Sequence, residues 1–113
     1  MNNIEHQIQC SCVDWFRFQY PKLLIYSNPN GGKRNIIVAS KLKKEGATAG
    51  IPDLHIPIAQ KGFNSLFIEM KQPKGKVSDN QKKTIPILER FGNKVVVCYS
   101  IEDFIYEVNK YLK

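Results

Sequence analysis

The run from Gly50 to Lys71, GIPDLHIPIAQKGFNSLFIEMK, decides how the rest of the chain is read. Two segments of strand-forming residues, Leu54 to Ile58 and Leu66 to Met70, flank Gln60, Lys61 and Gly62. Those three suit a three-residue hairpin loop with glycine where φ must be positive. Pairing symmetric about Lys61 puts Leu54 against Ile68 and Ile56 against Leu66, and sets Asp53 opposite Glu69. Strand residues alternate sides, so Lys71 shares a face with Glu69 while Leu54, Ile56, Ile68 and Met70 point the other way. Pro57 has no N–H for a ladder and fits either a non-hydrogen-bonded position or a bulge.

Two carboxylates facing each other across a sheet repel, so the pair needs a cation to offset it. A hard divalent ion such as Mg²⁺ takes carboxylate and carbonyl oxygens from protein and leaves positions for water and phosphate. An ammonium beside it, that of Lys71, could hold or help deprotonate an attacking water while the metal stabilises charge on a phosphodiester.

Pro52-Asp53 followed by Glu69-Met70-Lys71 resembles the PD-(D/E)xK motif of the restriction-endonuclease-like nucleases. With Gly50-Ile51-Pro52-Asp53-Leu54, Gly75, Ser78, Gln81 and Glu5 around it, the set is similar to the VRR-NUC, or virus-type replication-repair, nucleases. The resemblance implies an α/β restriction-endonuclease-like fold, a mixed sheet of roughly four strands flanked by helices, which agrees with the element order read below. It implies a metal-dependent DNA endonuclease in which Asp53, Glu69 and the backbone carbonyl of Met70 hold Mg²⁺ or Mn²⁺ and Lys71 serves the water. It also implies that Glu5 is a third acid reaching the metal or its waters and that Gln81 stands beside Lys71. Stand-alone members of that family pair as homodimers and cut branched DNA such as four-way Holliday junctions, so DNA and a second copy are the implied partners. A nuclease for flaps, nicks or RNA would use the same site. A purely DNA-binding module would not need Asp53, Glu69 and Lys71 together.

Bulk properties are compatible with this. One hundred and thirteen residues suit one domain, and 42% hydrophobic with 24% charged residues suits a globular one. No apolar run approaches the roughly 20 residues of a membrane span and no signal peptide is evident, so a cytoplasmic protein is expected. Cys10, Cys12 and Cys98 lack a zinc spacing and read as reduced, buried thiols. A net charge of +7 suits a polyanionic partner.

Before the hairpin, Ile4, Ile8, Cys12, Trp15 and Phe16 form a helical stripe that ends near Gln19, with Glu5 on the stripe rather than opposite it. Glu5 is either a solvated residue favoured by the helix dipole or a group aimed at the site. Leu23 to Tyr26 reads as a short strand. The glycine-rich, basic stretch from Ser27 to Arg34 is either an ordinary turn or a phosphate grip through Asn30, Lys33 and Arg34. Asn35 to Lys44 forms a helix or, through Ile36-Ile37-Val38, a strand, and Lys41 and Lys44 are phosphate contacts or a solvated face. His55 reads as structural.

After the hairpin, Gln72 to Val77 is a basic turn exposing Lys74. Ser78 and Gln81 have the form of a capping box, which leaves Gln81 either a cap, a site residue or both. Lys82 follows as a backbone contact, Pro86 should kink the helix, and Gly92-Asn93 should end it. Lys94 to Tyr99 reads as a parallel strand buried on both faces, and Ser100 caps a last helix carrying Ile101, Phe104, Ile105, Val108, Tyr111 and Leu112. That last stripe is wide enough to serve a partner chain as well.

Overall fold

The computed structural model describes residues 3–29 and 36–113. Asn30, Lys33 and Arg34, expected to grip phosphate, and Asn35, the first residue of the expected second helix, lie outside the described residues.

The hairpin forms with the expected register. Strands β2 (Leu54–Ile56) and β3 (Leu66–Met70) pair antiparallel, Leu54 with Ile68, His55 with Phe67 and Ile56 with Leu66. Its tip differs from the three-residue loop expected. Gln60 and Phe63 exchange backbone hydrogen bonds of 3.0 and 2.9 Å around a two-residue turn in which Lys61 (φ 52) and Gly62 (φ 84) are both left-handed, the type I′ pattern. The extra residue between tip and ladder is absorbed on the first arm, where Ile58 N–H turns back onto the Ile56 carbonyl. Pro57, with no donor, therefore lies beyond the end of β2 instead of inside it.

Strand β1 is Tyr26–Ser27, later and shorter than the Leu23–Tyr26 segment expected. It pairs only where β2 offers partners, Tyr26 with His55 and Ser27 with Leu54, while Leu23 is still in the turn that hydrogen-bonds to Tyr20. On the other side β3 pairs in parallel with β4 (Lys94–Cys98), giving the order β1-β2-β3-β4 and the mixed sheet expected. The strand predicted to be buried on both faces is an edge. Lys94, Val95, Val96 and Val97 are half-buried and only Cys98 is fully buried, because among the described residues no strand covers the outer side.

One sheet face holds the core. Leu54, Ile56, Leu66, Ile68, Met70 and Cys98 meet Cys12 and Phe16 of α1 (Asn3–Gln19) and Phe104, Val108 and Tyr111 of α4 (Ile101–Leu112). Ser100 Oγ caps α4 by accepting from Asp103 N–H at 3.1 Å. A parallel pair needs a crossover, supplied by α3 (Asp79–Arg90), which packs on β4. It continues past Pro86 and ends at Gly92 in the left-handed region. Helix α2 (Ile36–Lys44) buries no residue, and Ile36 is 84% exposed. Cys12 and Cys98 are buried, with burial pushing both thiols up to about 12. Cys10 is exposed, contrary to expectation, since the buried stripe of α1 passes through Cys12 and two helical positions subtend roughly 200°. Among the described residues no helix is long and apolar enough to cross a membrane.

Candidate active site

At the open end of the hairpin the ladder gives way to side chains. Met70 N–H donates to Asp53 Oδ2 at 2.9 Å, and Asp53 N–H donates to Glu69 Oε1 at 3.3 Å. Each carboxylate therefore takes a backbone donor from the opposite strand, which partly offsets the repulsion between them. Lys71 Nζ lies 3.1 Å from Glu69 Oε2, and its backbone N–H is tied to the Cys98 carbonyl at 2.9 Å. Glu69 is 3% exposed. Burial foremost, and then the charge of Glu69, pushes the Asp53 carboxyl up to about 7, against the opposing Met70 N–H and the Lys71 ammonium. Two acids thus share one cation in a poorly hydrated place.

These groups open onto a cleft of about 270 Å³ that also receives Glu5, Met70 and Gln81. Glu5 reaches it from the first turn of α1, where its Oε1 accepts from Gln72 N–H at 3.2 Å. It lines the cleft without forming a three-carboxylate ligand cluster, and no group of three or more His, Cys, Asp or Glu able to hold a metal occurs among the described residues. Gln81, 9% exposed, completes the capping box: its Oε1 accepts from Ser78 N–H at 2.9 Å while Ser78 Oγ accepts from Gln81 N–H. The cap occupies its oxygen, so its amide nitrogen is the group left to address the cleft. Lys41 and Lys44 on α2, Lys74 in the turn after β3 and Lys82 on α3 are all exposed.

The donor set fits a hard divalent cation. It offers two carboxylates and one strand-end carbonyl, all oxygen, with a net negative charge that a single lysine does not balance. The approach to it is closely packed. Gly50 has φ 91, and a Cβ there would lie 2.5 Å from the Asn80 carbonyl oxygen. The loop before Asp53 is pressed against the start of α3, with Thr84 Oγ1 donating to the Ala49 carbonyl. Gly50, two residues before Pro52, was the available clue.

A second feature of the same sheet face was not read from sequence. Tyr26, His55 and Phe67 are cross-strand partners in a row, the His55 ring stacked on Phe67 at 4.0 Å between centroids and edge-on to Tyr26 at 5.2 Å. Ser65 Oγ gives its proton to Asn93 Oδ1 at 2.7 Å, since Asn93 Nδ2 is donated to the Leu88 carbonyl. Ser65 must then accept from His55 Nε2 at 2.8 Å, which leaves His55 Nδ1 to accept the Tyr26 hydroxyl at 2.6 Å. This assigns a neutral imidazole protonated at Nε2, in keeping with burial, which lowers its pKa. The structural role expected for His55 is what this network describes.

The VRR-NUC domain profile matches residues 2–102. Among solved structures, a chain described as a VRR_NUC domain protein aligns with a TM-score of 0.81 at 27% identity, covering 99% of this chain and 90% of that one. No curated protein matches the chain.

Proposed function

The chain belongs to the VRR-NUC domain family, a nuclease-type family, and we propose that it is a Mg²⁺- or Mn²⁺-dependent endonuclease that hydrolyses phosphodiesters in branched DNA. The observation that carries this reading is the convergence of Asp53, Glu69 and Lys71 in one cleft, with Lys71 Nζ 3.1 Å from Glu69.

Asp53, Glu69 and the Met70 carbonyl would hold the ion. Such an ion supplies Lewis-acid stabilisation of charge on the phosphodiester oxygens and lowers the pKa of a bound water. Lys71, already aligned by Glu69 and by its backbone bond to Cys98, orients the attacking water and moves its proton. Glu5 accepts hydrogen bonds from water at the mouth of the cleft, and the Gln81 amide nitrogen donates beside Lys71. Lys41, Lys44, Lys74 and Lys82 take DNA phosphates. Pairing of two chains would present two such clefts to a symmetric junction.

Labelled four-way junction, flap, nicked and linear DNAs incubated with Mg²⁺ or Mn²⁺ test the reading. Cutting of branched DNA is expected, with Asp53→Ala and Lys71→Ala each abolishing cleavage while binding survives. A wild-type protein that cuts none of these DNAs with either ion, or variants that cut as well as wild type, would overturn it. Light scattering should return twice the 13.0 kDa chain mass, and a single chain mass would remove the dimer.

A further inference from the structure

Beside the cleft, on the same sheet face, lies a second and larger hollow of about 420 Å³. Tyr26 and Phe67 form its floor, and Leu42, Ala47 and Thr48 from the end of α2 and the loop after it form the opposite wall. Its volume falls in the roughly 300–1,000 Å³ range of small-molecule pockets. Nothing in the proposed hydrolysis uses it.

We infer that this hollow receives one unpaired nucleobase of the bound DNA, which rests on the nuclease reading above and specifies how that site takes its substrate. The first support is the floor. Aromatic rings are the usual platform for unpaired bases, and stacking on them is sequence-tolerant. This floor is also pre-organised: His55 is held through both ring nitrogens, and it locks Phe67 by stacking and Tyr26 by a hydrogen bond. Tyr26 nonetheless remains 42% exposed.

The second support is continuity with the cleft. Phe67 and Glu69 are two residues apart on one face of β3, roughly 7 Å along the strand. Ile51 lines both hollows. Asn28, at the edge of the larger one, donates its backbone N–H to the Asp53 carbonyl at 2.8 Å and its Nδ2 to the Pro52 carbonyl at 3.2 Å. A base held there belongs to a nucleotide next to the phosphate at the metal ligands.

The third support is charge. The wall is the end of α2, whose last turn carries Lys41, Lys43 and Lys44. An apolar pocket walled by the end of a lysine-bearing helix suits a base whose flanking phosphates those lysines take. Branched and flapped DNAs supply bases that need little or no energy to unstack, so a pocket of this kind also favours such DNAs over intact duplex.

The test is a binding comparison in EDTA, so that strands stay intact, using a fluorescein-labelled duplex carrying one bulged adenine. The same duplex with an abasic bulge and the fully paired duplex complete the set. The adenine bulge should bind about tenfold more tightly than the abasic one. Ala47→Trp, which fills the pocket from the loop, and Tyr26→Ala, which removes the floor, should bring that ratio to about one with affinity for paired duplex unchanged. Ala47 sits on an exposed loop, so this variant remains informative if Tyr26→Ala does not fold. Equal binding of adenine and abasic bulges by wild type, or a preference that survives Ala47→Trp, would overturn the inference and leave the nuclease reading standing. Failure to bind any of the three DNAs would overturn the inference, while the nuclease reading is decided separately by the cleavage assay with Mg²⁺ or Mn²⁺.

Discussion

Asp53 faces a second carboxylate with a single lysine beside the pair, and its acidity records that position. Its ordinary pKa of 3.8 rises to about 7 in the folded chain, first through burial and then through Glu69. Between those two values the folded protein holds a proton that the unfolded chain has released. The contribution to stability is therefore complete below the ordinary value and is lost as pH rises through about 7. Metal-free Asp53→Asn should accordingly melt above wild type, by a margin that widens between about pH 5 and about pH 8. Added Mg²⁺ should raise the melting temperature of wild type at the upper pH and not that of the variant. Thermal melts at both pH values with and without the ion read this; a constant margin would mean that Asp53 titrates normally. Lys74 shows a second local conflict. Gly75 N–H donates to the Gln72 carbonyl around Pro73 and Lys74, and Lys74 has φ 68 where glycine is favoured. Lys74→Gly should stabilise the fold by about 0.5–1 kcal/mol and weaken DNA binding, read by urea titration and fluorescence anisotropy. Equal DNA affinity would mean that this lysine meets no phosphate.

At the scale of elements, the capping box of α3 is where a structural role and a chemical one coincide. Gln81→Glu preserves a side chain able to close the box, because glutamate serves that position as well as glutamine. Melting should be unchanged while cleavage falls by about tenfold or more, since the donor amide beside Lys71 is lost and a fourth acid is added to the cleft. Undiminished cleavage would make Gln81 a cap alone. Which elements were legible in the sequence follows from the same local physics. The β2–β3 register was readable because a one-residue slip would send Leu54, Ile56, Ile68 and Met70 to the wrong face. The tip was not, because Lys61 carries none of the Asn or Asp signal of a type I′ turn. The run Val95-Val96-Val97 reads the same whether helices cover a central strand or an edge, so its place at the border of the sheet was invisible. Asp53, Glu69 and Lys71 could be brought together from alternation alone. The approach of Glu5 to Gln72, and the row Tyr26-His55-Phe67, required the placement of α1 and β1, which periodicity does not encode.

For the whole molecule the governing quantity is where the charge of +7 lies. Three of the ten acids, Glu5, Asp53 and Glu69, line the cleft, so the remaining surface is more basic than the total implies. Lys41 and Lys44 on α2, Lys74 after β3 and Lys82 on α3 come from three separate segments, and all are exposed. Isolated lysines on a solvated face would contribute only a diffuse attraction. Lysines seated on phosphates release counterions one by one, so each should steepen the dependence of affinity on salt by about 0.9 in log–log slope. Anisotropy titrations of a labelled four-way junction across a salt series, for wild type and for each lysine-to-alanine variant, separate these cases. Each substitution is expected to reduce the slope by roughly 0.9, and effects should add between the three segments, while Lys41 and Lys44, three residues apart on α2, are neighbours whose effects couple. A variant with lower affinity but an unaltered slope would place its lysine off the DNA path, and four such variants would leave the basic surface as solvation rather than recognition.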